Sequence, residues 1–168
     1  MLFRSRLAYC TTGGLIDQQV PRSVIVMDAE TGRQILHLPG GGRSVAFSSD
    51  GKLLASNDYK WENWKPVGGE LKVWDAQTGQ EISALNEKSD GAILFAFSPD
   101  GKRIAVAGQR AGTPRIKVCD TETGRELFTF QKHTDRINDL AFSPDSKWLD
   151  RKSTRLNSSH VSESRMPS

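Results

Sequence analysis

Phe47-Ser48-Ser49-Asp50-Gly51-Lys52 returns as Phe97-Ser98-Pro99-Asp100-Gly101-Lys102 and, altered, as Phe142-Ser143-Pro144-Asp145-Ser146-Lys147. A second phrase keeps the same beat: Asp28-Ala29-Glu30-Thr31-Gly32-Arg33, Asp75-Ala76-Gln77-Thr78-Gly79-Gln80 and Asp120-Thr121-Glu122-Thr123-Gly124-Arg125. Two phrases recurring together define an internal repeat of about 45 to 50 residues, too long for the common paired-helix repeats and suited to a small sheet.

Each repeat reads as four short strands. Residues 45–49 and 52–57 are β-rich runs joined by Ser49-Asp50-Gly51, where glycine supplies the left-handed conformation of a tight hairpin. Residues 70–76 form a third strand with Leu71 and Val73 on one face and Lys72 and Trp74 on the other, and Thr78-Gly79 turns the chain into a fourth at 80–85. The order repeats at 92–98, 102–107, 115–120 and 125–131. Four antiparallel strands per repeat make one blade of a β-propeller. The expected fold is therefore all-β: about three four-stranded blades plus a partial one, not closed into a ring. The divisions are 1–44 for a partial first blade lacking its opening strand, 45–91 and 92–136 for the next two, and 137–149 for the start of a fourth. Propellers close with about four to eight blades, so the chain is expected to be a piece of a longer protein.

Leu71-Lys72-Val73-Trp74-Asp75 resembles the third-strand signature of WD repeats, and the Phe-Ser-Pro-Asp-Gly-Lys and Thr-Gly-x-Glu phrases are similar to those of bacterial members. The resemblance covers residues 5–149. It implies structural roles for Trp74, Asp75, Asp28, Asp120, His133 and Asp139. The Trp-Asp pair is Met27-Asp28 in the first blade and Cys119-Asp120 in the third, and the family's His stands only at His133. The His, Ser or Thr, Asp and Trp hydrogen-bond network of the family is accordingly expected to be incomplete.

From Asp150 the chain resembles the in-frame translation of a sequencing adapter through His160, and Ser164–Ser168 fits its downstream part. Residues 150–168 are thus expected to be a non-native, disordered tail. The full chain carries 23 Lys and Arg against 20 Asp and Glu; without that tail the balance is 19 against 18. A near-neutral body gives no footprint for nucleic acid or an anionic membrane. No stretch approaches a membrane span, and the start lacks a signal-peptide core. Cys10 and Cys119 stand far apart with no paired spacing, so neither a disulfide framework nor a thiolate metal site is implied. Cytoplasmic placement is expected, the alternative being periplasmic if the N-terminus is truncated.

No HExxH, GxSxG or Walker A sequence occurs. Gly40-Gly41-Gly42 lacks a following Lys and reads as a flexible connection between blades. Asp50, Asp100 and Asp145 occupy equivalent turns on separate blades and form no acid–base pair. An Asp-x-x-Thr-Gly turn also occurs in quinoprotein repeats, but Ile35, Ile82 and Leu127 stand near where those carry Trp, so no cofactor is expected and no metal. The links between second and third strands are long in every repeat, at 13–22, 58–69 and 108–114. The middle one holds Tyr59, Lys60, Trp61 and Trp64, the expected partner-binding residues, because Tyr and Trp give large contact area at small entropic cost. The chain is expected to be a non-catalytic module for protein–protein interaction or scaffolding, contacting a protein partner or fused domain rather than a small molecule. The alternative is the propeller of a TolB-type transport protein or of a prolyl-oligopeptidase-like hydrolase.

Overall fold

The computed structural model describes residues 5–11, 22–62, 65–87, 93–110, 113–130, 137–153 and 164–165. They form four antiparallel sheets and, among the described residues, no helix. The first sheet holds β1 (Arg6–Thr11), β2 (Ser23–Asp28) and β3 (Gln34–Pro39) in sequence order. The second holds β4 (Ser44–Phe47), β5 (Leu53–Glu62), β6 (Lys65–Asp75) and β7 (Glu81–Glu87). The third repeats that order with β8 (Leu94–Phe97), β9 (Arg103–Arg110), β10 (Thr113–Asp120) and β11 (Glu126–Phe130). The fourth has β12 (Ile137–Phe142), β13 (Trp148–Ser153) and the two-residue β14 (Ser164–Arg165). The chain is an open arc of propeller blades.

Register proves the repeat at the level of single residues. Arg6, Leu53 and Arg103 pair with Asp28, Asp75 and Asp120 respectively. The ladder to the fourth strand then slips once in each blade, pairing Met27 with Gln34, Trp74 with Glu81 and Cys119 with Glu126. The residues left over on the fourth strand are Ile35, Ile82 and Leu127, so their recurrence reflects a bulge, which also sharpens the strand twist.

The blades are joined by burial on both faces. Val24, Val26 and Leu38 of the first pack with Leu54, Trp74 and Ala76 of the second. Leu71 and Val73 then turn to Ile104, Val106 and Cys119 of the third. Ala105, Ile116 and Val118 meet Ile137, Leu140 and Leu149 of the fourth. The alternation along β6 thus sends Trp74 backward and Leu71 and Val73 forward, so this strand takes part in both seams. Complete burial of a Leu or Val contributes roughly 1.5–3 kcal/mol, so these three seams hold the arc together.

Three expectations are corrected. Residues 58–69 are not an irregular loop: β5 and β6 pair out to Glu62 with Lys65. Residues 108–114 likewise belong largely to β9 and β10, paired out to Arg110 with Thr113. Order also continues past Leu149, because Asp150 pairs with Ala141 and Ser153 with Ile137; a ladder is made by backbone groups and does not require a particular side-chain pattern. The link at 13–22 falls, except for Arg22, outside the described residues.

Candidate interaction rim

Antiparallel strands place the first–second and third–fourth turns at one end of each blade, and the second–third hairpins and inter-blade connections at the other. The first end is built from the two repeated phrases. Asp75 Oδ1 accepts from the N–H of Gln77 at 2.9 Å, the N–H of Thr78 at 2.7 Å and the Thr78 hydroxyl at 3.0 Å. Asp28 does the same for Glu30 and Thr31, and Asp120 takes the Thr123 N–H and hydroxyl at 2.8 and 2.7 Å. Each turn closes on a glycine in the left-handed region, Gly79 at φ 75° in the second blade, which explains the Thr-Gly pair.

The other phrase works in the same way. The Ser48 hydroxyl donates to Asp50 Oδ1 at 2.7 Å and accepts the Leu53 N–H at 2.9 Å, while Lys52 N–H donates to the same carboxylate at 3.1 Å. Ser98 with Asp100 and Ser143 with Asp145 repeat the arrangement. Ser146 replaces the turn glycine and still adopts φ 59°, a conformation costing a non-glycine residue roughly 1–2 kcal/mol. Its carbonyl accepts from Arg103 Nη2 at 2.6 Å, tying the third blade to the fourth. Within the second and third blades the two turns are latched together, by Ala76 N–H to the Lys52 carbonyl and Thr121 N–H to the Lys102 carbonyl.

These hydrogen bonds favour the ionised carboxylates. Asp75 lies below the ordinary carboxylate range chiefly because of the Thr78 backbone N–H, Asp120 chiefly because of the Thr123 hydroxyl, and Asp50 chiefly because of the Ser48 hydroxyl. For Asp100, burial pushes upward, but the Ser98 hydroxyl and Lys102 N–H outweigh it. The depressed values follow from the hydrogen bonds that close the turns.

The opposite end differs from blade to blade. In the second blade the hairpin of β5 and β6 carries Tyr59, Lys60 and Trp61 on its paired strand, opposite Gly69, Gly68 and Pro66. Trp64 lies outside the described residues, as does His133. Near its base Arg22 Nη1 reaches Asp58 Oδ1 at 2.7 Å, joining the first blade to the second. Asn57 is almost fully buried and makes a junction: its Oδ1 accepts the Ser44 N–H at 2.9 Å, its Nδ2 donates to the Ile93 carbonyl at 2.7 Å, and its own carbonyl accepts from Gly42 and Arg43. Two inter-blade connections are thus fastened to one side chain. Asp139 accepts the N–H of Leu140 at 2.9 Å.

One link of the family network is present: Trp74 Nε1 donates to Ser56 Oγ at 3.0 Å, both buried. Beside it the reading of Gly40-Gly41-Gly42 as slack is corrected. Gly41 has φ 100°, and a Cβ there would sit 2.5 Å from Ser56 Oγ; glycine is required by contact. Gly69 is similar, since a Cβ would fall 1.8 Å from Ile93 Cδ1. Sequence reading missed Arg22, Ser56, Asn57 and Gly69; the only signal available was a run of polar residues, Ser56-Asn57-Asp58, inside a strand. Among the described residues no three His, Cys, Asp or Glu are grouped to hold a metal ion.

Blades of three or four antiparallel strands, stacked face to face in an unclosed arc, define a β-propeller module. Residues 124–149 match the family model described as WD domain, G-beta repeat. A solved chain of Kuenenia stuttgartiensis hydrazine synthase is similar in fold, with a TM-score of 0.61 and 18% identity, over 86% of this chain and 48% of that one. The present chain thus spans about half the length of that neighbour. In all, 608 solved chains match, a breadth that defines the fold and selects no activity. No curated protein matches it significantly.

Proposed function

We propose that the chain is a non-catalytic interaction module of the WD-repeat type, within a larger cytoplasmic protein, and that it engages a protein partner through the hairpin end of its blades. The observation that carries this reading is the contrast between ends. One is spent on turns whose polar groups satisfy one another, leaving little to recognise. The other carries the paired β5–β6 hairpin with Tyr59, Lys60 and Trp61, and with Trp64 next to its tip in sequence. Aromatic residues beside charges are the composition of interface hot spots, and a paired hairpin presents them at lower ordering cost than a free loop. The expected role of the Trp-Asp and Thr-Gly residues is to hold the scaffold.

The test uses the protein in its cell of origin, with Trp61→Ala and Trp64→Ala combined. A partner retained by the unaltered protein is expected to be lost from the variant by at least tenfold, at unchanged protein level. Undiminished retention would remove the hairpin from the binding surface.

A further inference from the structure

The dipeptide Asp-Gly occurs three times, at 50–51, 90–91 and 100–101, and the middle copy lies outside the described residues. Such a peptide can rearrange with no enzyme or cofactor. The glycine nitrogen attacks Cγ of the preceding aspartic acid, a succinimide ring closes, and the amide proton leaves with the carboxyl hydroxyl as water. Water then opens the ring at the former main-chain carbonyl, so that the chain runs through Cβ and Cγ and the α-carboxylate becomes the side chain. Glycine admits the attack because it has no Cβ to obstruct it. The reaction needs a protonated carboxyl, an amide free to give up its proton, and rotation that brings Cγ onto the nitrogen.

Both described copies oppose all of these. Gly51 N–H donates to the Ser48 carbonyl at 2.9 Å and Gly101 N–H to the Ser98 carbonyl at 2.8 Å, so each attacking nitrogen is engaged. Asp50 Oδ1 accepts the Ser48 hydroxyl at 2.7 Å and the Lys52 N–H at 3.1 Å, and Asp100 Oδ1 accepts the Ser98 hydroxyl at 2.5 Å and the Lys102 N–H at 3.1 Å. Those bonds hold the side chains away from rotation and favour the ionised form, which has no hydroxyl to lose. Burial is not the protection, since the two side chains are 46 and 40% exposed. In the fourth blade Asp145 is followed by Ser146, whose Cβ obstructs the attack.

We propose that Asp50 and Asp100 are latent isoaspartate modification sites, each gated by the hydrogen bonds of its own turn: the closed turn blocks the rearrangement and local opening releases it. Conversion adds a methylene to the main chain and removes the acceptor that the serine hydroxyl and the following N–H used. A converted turn therefore does not close again, and each event marks a blade whose turn end has opened.

The purified full chain, incubated in mildly acidic buffer and then digested, reads both sites at once: isoaspartyl and aspartyl peptides have equal mass, separate by chromatography and fragment differently at the aspartate. In the unaltered protein each site is expected to convert at least about tenfold more slowly than in the same chain unfolded by denaturant, because only the open fraction reacts. Ser48→Ala removes the donor to Asp50 and the acceptor for the Leu53 N–H. It is expected to speed conversion at Asp50 by about tenfold while Asp100 in the same molecules keeps its rate, and Ser98→Ala should do the reverse. Equal acceleration of both sites by either variant would report general unfolding and overturn gating by the individual turn. No acceleration at the altered turn, or equal rates in folded and unfolded chains, would overturn it as well.

Discussion

The two ends of the blades follow opposite rules. At the turn end, three copies of Asp-x-x-Thr-Gly and three of the Ser-x-Asp turn make the same bonds at nearly the same distances, almost all to partners within five residues. At the hairpin end, no equivalent positions match: Asn57 corresponds to Cys10 and Ala107, and Asp58 to Thr11 and Gly108. The difference teaches that repetition in this chain records what a blade needs in order to exist, and that whatever distinguishes one blade from another lies where repetition stops.

The hairpin end is nevertheless anchored, and the largest expected effect tests that anchor. Asn57→Leu strands the Ser44 N–H and the Ile93 carbonyl in a buried setting, each unsatisfied group costing about 1–3 kcal/mol. A loss of about 3 kcal/mol in denaturant unfolding is expected. A loss below about 0.5 kcal/mol would show that the connections hold without it.

A smaller effect of opposite sign comes from the turn end. Thr121 follows Asp120 where the other blades have Ala29 and Ala76, and its buried Oγ1 makes no hydrogen bond. Thr121→Ala is expected to raise stability by about 1 kcal/mol, since leaving a buried hydroxyl unpaired is unfavourable. Destabilisation would mean that the methyl packing outweighs the hydroxyl.

Acid should affect the turn end in the same direction in the second, third and fourth blades. The carboxyls of Asp50, Asp75, Asp100, Asp120 and Asp145 are all held below their ordinary range. A depressed folded value stabilises above the unfolded value, near pH 4, and that contribution is lost as pH falls through the folded one. The melting temperature is therefore expected to be flat from about pH 7 to pH 5 and to fall below about pH 4. Asp75→Asn should flatten the fall slightly; an unchanged profile would assign the acid sensitivity elsewhere.

Much of the fold was legible because its determinants are local. Asp75 with Thr78 and Gly79 is a complete turn written in five letters, and the blade follows from its recurrence. The hairpin end was hidden for physical reasons. Tyr59 to Trp61 sit among charges without strand alternation, and Gly69 falls within the expected loop, whereas it is paired in the ladder with Tyr59 and leaves room for Ile93. Asn57 gave no signal beyond its place in a polar run, since its partner at Ile93 lies 36 residues away and nothing repeats there. The proposed partner-binding residues were placed from composition, and the hairpin changes the setting of Tyr59, Lys60 and Trp61 from loop to ladder.

The most direct measurement compares thermal unfolding of Asp75→Ala with that of the combined Trp61→Ala and Trp64→Ala variant, in one buffer at pH 7. Removing the turn acceptor should cost about 1 kcal/mol, a fall of several degrees, while the hairpin variant should melt with the unaltered protein. The reverse outcome, a tolerant turn and a destabilised hairpin variant, would mean that the aromatic residues hold the blade together and that the division between a structural and an interacting end is wrong.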